Sequence, residues 1–256
     1  MRRWVIKAGS QIVCDGGPVL LRSWMQQLLT LRRQHQIEVI WVTSGAIASA
    51  VERTEFSKTR ADWSLFEKQA LSAIGQPMLM DLYNIALNAT GLVGAQVLLT
   101  YKDLSDPKRR LNFKHTVEQL MKWKVVPIIN ENDAVATDEI KFGDNDSLSA
   151  KVAAVTGAER LIILTDVEGL YDMDPMKYKN AKLIETLNSV SSKLLKEVGL
   201  SSKSSRGTGG MFSKLKAAKE AGSKGITTQL IKGDLQAGLT RIAQGENVGT
   251  VISRSK

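Results

Sequence analysis

The chain of 256 residues is 43% hydrophobic, 24% charged and 5% aromatic, and its 35 Lys and Arg against 26 Asp and Glu give a formal charge of +9. This composition excludes a disordered tail and, with 20 Gly and 5 Pro, a collagen-like chain; Cys14, the single cysteine, excludes a disulfide scaffold. A chain of this length holds one large or two small domains, buries on the order of 70% of its unfolded surface and folds without metal or disulfide staples.

Met1-Arg2-Arg3 before Trp4-Val5-Ile6 begins like an export signal, but Lys7 interrupts the apolar run well short of the ~7–15 residues such a segment needs. The run reads instead as a strand, Trp4–Ile6, ending in Lys7-Ala8-Gly9-Ser10. A helix follows over Pro18–Arg33, with Pro18 in the first turn, where its missing N–H is no loss. The strand Ile37–Val42 leads into Thr43-Ser44-Gly45-Ala46, with Gly45 just ahead of another helix. Helical period then covers Asp62–Asn88 and Asp103–Trp123, on either side of a strand at Val93–Leu99. The strand Val125–Ile129 ends in Asn130-Glu131-Asn132-Asp133, and the acidic run Phe142-Gly143-Asp144-Asn145-Asp146-Ser147 opens a helix at Ser147–Gly157. The continuous apolar strand Leu161–Leu164 ends in Thr165-Asp166. Beyond an irregular stretch, Val167–Lys182, and a mobile loop, Ser201–Gly210, come a helix at Met211–Gly222 and strands at Ile226–Ile231 and Thr250–Ser253.

Strand and helix in alternation predict an α/β fold with a mainly parallel central sheet sandwiched between helices. No stretch approaches the ~18–20 apolar residues of a membrane span, and one unpaired cysteine fits a reducing cytoplasm. Cys14 reads as a small, half-buried side chain rather than a nucleophile, since neither His35 nor His115 lies near it in sequence.

Ligands of such folds sit beyond the carboxyl ends of the strands, so the residues after each strand carry the functional argument. Gly9-Ser10 offers unobstructed backbone N–H groups, Gly45 can present a helix's positive end to an anion, and Arg206-Gly207-Thr208-Gly209-Gly210-Met211-Phe212-Ser213-Lys214 joins glycines, hydroxyls and a lysine at a helix mouth. None is a Walker A or dinucleotide fingerprint, and each has an alternative as a turn needing positive φ. In the acidic run, Asp144 or Asp146 can serve as an N-cap, yet a cap needs one such residue and two are present. Carboxylates beside phosphate loops suit either Mg2+ or the positioning of lysines, and both belong to phosphoryl transfer.

Two histidines in the whole chain make a general base scarce. A carboxylate acceptor, with a pKa near ~4, needs none. It needs cations to offset its repulsion from a triphosphate, and Lys7 and Lys214 beside their glycine loops supply them. The basic stretch Lys203–Lys224 could instead track nucleic acid, but no aromatic residues interleave with it, and a solvated helix face accounts for most of its lysines.

Lys7-Ala8-Gly9-Ser10, Thr43-Ser44-Gly45-Ala46-Ile47, Glu67-Lys68-Gln69-Ala70 with Gly75-Gln76, Gln96-Val97-Leu98-Leu99-Thr100, Asn130-Glu131-Asn132-Asp133, Gly143-Asp144-Asn145-Asp146, Leu164-Thr165-Asp166 and Gly207-Thr208-Gly209-Gly210-Met211 together resemble the glutamate 5-kinases of the amino-acid kinase superfamily. The resemblance runs from Lys7 to Gly249-Thr250 and implies a single kinase domain over residues 1–256 with the carbamate-kinase-like fold, in the form without a C-terminal PUA domain. It implies that ATP and Mg2+ are used to make L-glutamyl 5-phosphate from L-glutamate at the start of proline synthesis, in a cytoplasmic homo-oligomer, dimer or tetramer, with proline as feedback inhibitor.

Residue by residue, the resemblance makes Lys7 and Lys214 the phosphate-neutralising cations and Asp146 their organiser. Gly9, Ser10, Thr165, Asp166 and Thr208 to Lys214 (Gly209, Gly210, Met211, Phe212 and Ser213 included) would line the ATP site. Ser44, Gly45, Asp133 and Asn145, with Asn130 and Asp144 behind them, would hold glutamate; Asp133 can pair with the α-ammonium, while Ser44 and Asn145 can donate to a carboxylate. No protein-held metal, nucleic acid or membrane partner is expected. Gln11 stands where the family usually has Ser or Thr, and Thr43 where it usually has Ser. Sister kinases acting on aspartate, N-acetylglutamate or uridine monophosphate are the alternatives.

Overall fold

The computed structural model describes residues 2–54, 56, 63–136, 144–201 and 210–253. In chain order they form β1 (Arg2–Ala8), α1 (Ser10–His35), β2 (Ile37–Val42), α2 (Ala46–Thr54), α3 (Leu65–Asn88), β3 (Gly94–Leu99), α4 (Tyr101–Ser105), α5 (Pro107–Lys122) and β4 (Val126–Glu131). Then follow α6 (Asn145–Thr156), β5 (Arg160–Thr165), β6 (Thr186–Leu187), α7 (Ser192–Ser201), α8 (Met211–Gly222), β7 (Thr227–Lys232), α9 (Gly238–Ala243) and β8 (Thr250–Ile252). The strands make one sheet in the order β3-β4-β2-β1-β5-β7-β8-β6, parallel except where β8 runs antiparallel to β7. The predicted mainly parallel α/β sheet is thus the architecture observed.

Alternation explains why the central strands are apolar throughout. Trp4, Ile6 and Ala8 pack into one core with α1, α3 and α9, whereas Val5 faces a second core built with α5, α6 and α8. Ile162 and Leu164 likewise join the first core and Leu161 and Ile163 the second. Each face contributes a separate layer, so a strand with no polar position is buried on both sides. Lys7 shares the parity of Val5. Its side chain therefore enters the α6–α8 layer, and this places it in the site.

Several boundaries have local causes. α1 is kinked at Gly17 (φ 52°, ψ −158°), and Pro18 restarts the helix where the sequence predicts a start, with a further turn from Ser10 to Gly16 ahead of it. α3 begins three residues later than predicted, under a reciprocal capping box between Ser64 and Glu67. The single helix predicted over Asp103–Trp123 is two, because the Asp106 side chain caps a new start at Pro107. The short elements β6 and α9 carry too little periodicity to predict, whereas α7, whose Leu194, Leu195 and Val198 pack on the second core, has an amphipathic pattern that the sequence reading did not assign to a helix. Of the predicted mobile loop at 201–210, residues 202–209 lie outside the described residues.

Candidate active site

The site is assembled at the carboxyl ends of β1, β2, β4 and β5. Lys7, on β1, is 4% exposed, and a buried ammonium is tolerable only with a partner. The partner is Asp146, on the first turn of α6. Asp144 is the N-cap of that helix, accepting from the Ser147 N–H at 2.7 Å, so of the two aspartates it is Asp144 that caps. Asp146 is fully buried; Lys7 Nζ lies 2.6 Å from its Oδ1 and Lys214 Nζ 3.5 Å from its Oδ2. The Ser213 hydroxyl donates to Oδ2 at 2.6 Å.

Two ammonium groups share one carboxylate, and the trio retains one positive charge. Burial pushes the Asp146 carboxyl up, but Lys7 and then Lys214 outweigh it and hold its pKa below the ordinary value. Burial lowers the Lys214 ammonium, opposed by Asp146, deepened by Lys7 and opposed again by Asp166. A buried excess cation of this kind attracts an anion.

Two helices open toward the trio without a side chain over their first amides. α1 starts behind Gly9 and Ser10, and α8 starts behind Gly210 with Met211 and Phe212; both N-caps are glycines with no side-chain cap. Such ends present free N–H groups and a positive dipole to phosphate. Thr165 ends β5, and its hydroxyl donates to Asp166 Oδ1 at 2.9 Å. Thr208 and Gly209, which the sequence adds to this lobe, lie outside the described residues.

A second group of polar residues adjoins the trio through α6. Asn145, beside Asp146, points Nδ2 at the Thr43 carbonyl, at Ser44 Oγ (2.7 Å) and at Asn130 Oδ1 (2.7 Å). Its two hydrogens are consumed by three protein acceptors. With those hydrogens engaged, Asn145 has its Oδ1 left as an acceptor, while Ser44, whose oxygen accepts from Asn145, keeps its own proton to donate. Gly45 follows at φ +119°, a conformation that L side chains rarely adopt. Asp133 is half-buried in the turn after β4, three residues past Asn130. Burial raises the pKa of Asp144, whose first oxygen is held by the cap.

Three supporting contacts escaped the sequence reading. Ser213 braces Asp146 as well as lying at the α8 mouth. Thr43 Oγ1 lies 2.8 Å from Tyr83 OH, which accepts from Trp41 Nε1 at 2.8 Å, so α3 props the Thr43–Gly45 loop from beneath. Gln76, also on α3, accepts from Asn130 Nδ2 at 2.8 Å. Gly75-Gln76 was among the runs that carry the family resemblance, but nothing in the sequence gave Gln76 or Tyr83 a partner. Of the basic stretch, Lys214 is buried at the site, whereas Lys216, Lys219 and Lys224 are exposed.

The sequence profile of the amino acid kinase family matches residues 2–232. The chain is 43% identical over 254 residues to a glutamate 5-kinase of Caldanaerobacter subterraneus subsp. tengcongensis, covering 98% of this chain and 67% of that protein. It is 41% identical over 259 residues to a glutamate 5-kinase of Thioalkalivibrio sulfidiphilus, covering 100% and 68%. Among solved structures, the UMP kinase of Bacillus anthracis superposes with a TM-score of 0.62 at 18% identity, over 100% of this chain and 97% of that one, a likeness of fold.

Proposed function

The chain belongs to the amino acid kinase family and, within it, to the glutamate 5-kinases, and from that premise we propose how its residues carry out the reaction. ATP phosphorylates the γ-carboxylate of L-glutamate, giving L-glutamyl 5-phosphate and ADP, the first step of proline biosynthesis. A carboxylate oxygen attacks the terminal phosphorus, the bond from that phosphorus to the bridging oxygen breaks, and no proton has to be removed. This fits the residues brought together around Asp146, none of which is histidine: His35 ends α1 just ahead of the amino end of β2, and His115 lies on α5.

The observation that carries the reading is the sharing of Asp146 by Lys7 and Lys214. Each ammonium can face a phosphoryl oxygen while the carboxylate keeps the two from separating, so the repulsion between acceptor and nucleotide is offset by charges already in place. The amides of α1 and α8 take the remaining phosphate oxygens. Ser44 donates to the substrate's α-carboxylate, while Asp133 and Asn145 Oδ1 accept from its α-ammonium. That pairing disfavours N-acetylated or nucleotide acceptors, which lack the ammonium.

Mg2+ is proposed to arrive on the nucleotide. Both Asp146 oxygens are engaged, and no group of three or more metal-binding side chains occurs among the described residues, which suits an ion held mainly by phosphate oxygens. When bound, it neutralises charge on the transferred group. A homo-oligomer, feedback by proline and a cytoplasmic setting are proposed from the family likeness; none of the described helices is long and apolar enough to cross a membrane.

Trapping of the acyl phosphate with hydroxylamine tests the reaction directly. With ATP and Mg2+, glutamate should yield hydroxamate, while aspartate and N-acetylglutamate should not; hydroxamate from N-acetylglutamate alone would reassign the acceptor.

A further inference from the structure

We propose that Gln76 is a positioning residue of the acceptor site: its amide orients Asn130 and, through Asn130, the Asn145 carbonyl and Ser44 hydroxyl offered to the substrate. The proposal rests on the acceptor reading above and adds to it a residue that no substrate need touch.

The direction of every amide follows from one donor that cannot be reversed. The Glu131 backbone N–H donates to Asn130 Oδ1 at 2.9 Å. Asn130 must then turn Oδ1 toward Glu131 and Asn145 and Nδ2 the other way. Nδ2 meets Gln76 Oε1 at 2.8 Å, its only hydrogen bond among the described residues. Asn130 is 2% exposed, so without Gln76 this donor would be buried and unpaired. The relay ties four elements together: Gln76 from α3, Asn130 from β4, Asn145 from α6 and Ser44 from the loop after β2.

Gln76 bears a cost that packing alone would not justify. The residue is 7% exposed, lines a cavity of about 230 Å³ together with Ser72, Gln96 and Glu131, and its Nε2 has no hydrogen-bond partner among the described residues. A methionine would fill the same space without burying a donor. The amide is useful at its other end, where it holds Asn130. Gly75 brings it within reach: a Cβ there would lie 1.7 Å from the Ala46 carbonyl oxygen, so the close approach of α3 to α2 depends on the glycine.

Steady-state kinetics and 15N NMR of the intact chain test this. Gln76→Met should raise the glutamate KM about fivefold, the factor that corresponds to the loss of one ordinary hydrogen bond, with the ATP KM nearly unchanged. Gln76→Glu, which keeps an acceptor, should recover part of that loss. In an Asn130→Ala background, Gln76→Met should add nothing, because both changes cut the same relay. The side-chain amide signals of Asn130 and Asn145 in the substrate-free protein should move in Gln76→Met, a readout that does not depend on which acid is phosphorylated. Should Gln76→Met fail to fold, Gln76→Asn, one methylene shorter, withdraws the same acceptor and takes its place in each measurement. Equal rises in both KM values, additivity with Asn130→Ala, or unmoved amide signals would each overturn the assignment, whereas a protein that phosphorylates no glutamate yet shows the amide shifts would refute only the substrate.

Discussion

Lys7 and Lys214 grip opposite oxygens of one carboxylate: the first strand's ammonium lies 2.6 Å from Asp146 Oδ1, and that of α8 lies 3.5 Å from Oδ2. Both ammonium groups are buried with that carboxylate, and the mechanism proposed above rests on this shared counter-ion.

Lys214→Met should lower kcat by about 10²–10³, the cost of removing one preorganised charge from a transferring group, while the glutamate KM changes little. Turnover at the parental rate would take Lys214 out of the mechanism.

The lowered pKa of Lys214 also predicts a pH profile. The ammonium must be protonated to act, so kcat/KM for ATP should fall as pH rises through a midpoint below the usual lysine value of about 10.4. Lys214→Arg, charged throughout, should lack that limb even if its overall rate is poor.

Asp146→Asn should destabilise the fold by ~3–5 kcal/mol near neutral pH, because two buried ammonium groups lose their counter-ion. The folded pKa of Asp146 is depressed, so its stabilisation is complete above the unfolded value of about 3.9 and is lost as pH falls through the folded one. Denaturant unfolding followed into acid should show this loss in the parent and not in Asp146→Asn; matching curves would mean that the ion pair adds no stability.

Tyr83→Phe removes the hydroxyl that both Trp41 Nε1 and Thr43 Oγ1 use. Two buried groups lose their partner, and urea unfolding should register a loss of ~1–3 kcal/mol, with a smaller rise in the glutamate KM from a loosened Thr43–Gly45 loop. An unaltered unfolding midpoint would contradict the bonding described.

Gly75→Ala places a methyl group into the Ala46 carbonyl, a rigid backbone atom. Separation of α2 from α3 should cost at least ~1–3 kcal/mol and displace Gly45 and Gln76 together. Circular dichroism melts and the glutamate KM measured side by side should change in concert.

Much of this architecture was legible in one dimension because it depends on neighbours in the chain. Continuous apolar runs in β1 and β5, glycines and hydroxyls just after them, and the scarcity of histidine follow from local order alone. They suffice for a mainly parallel sheet with a phosphate-handling edge. The family likeness then supplied Asp146 as the organiser of Lys7 and Lys214, which no spacing contains.

Three-dimensional packing decided the rest. As caps, Asp144 and Asp146 are equivalent candidates by residue type, and only the start of α6 determines that Asp144 caps while Asp146 is buried. Asn145 could donate or accept until Asn130, fixed by a backbone N–H, consumed its hydrogens. Gln76, legible only within the family-like run Gly75-Gln76, and Tyr83 had no partners until α3 was laid beneath the loops of β2 and β4. Hydrogen-bond direction and the sign of a buried site depend on which atoms meet from distant segments, and that is set by strand order and helix packing.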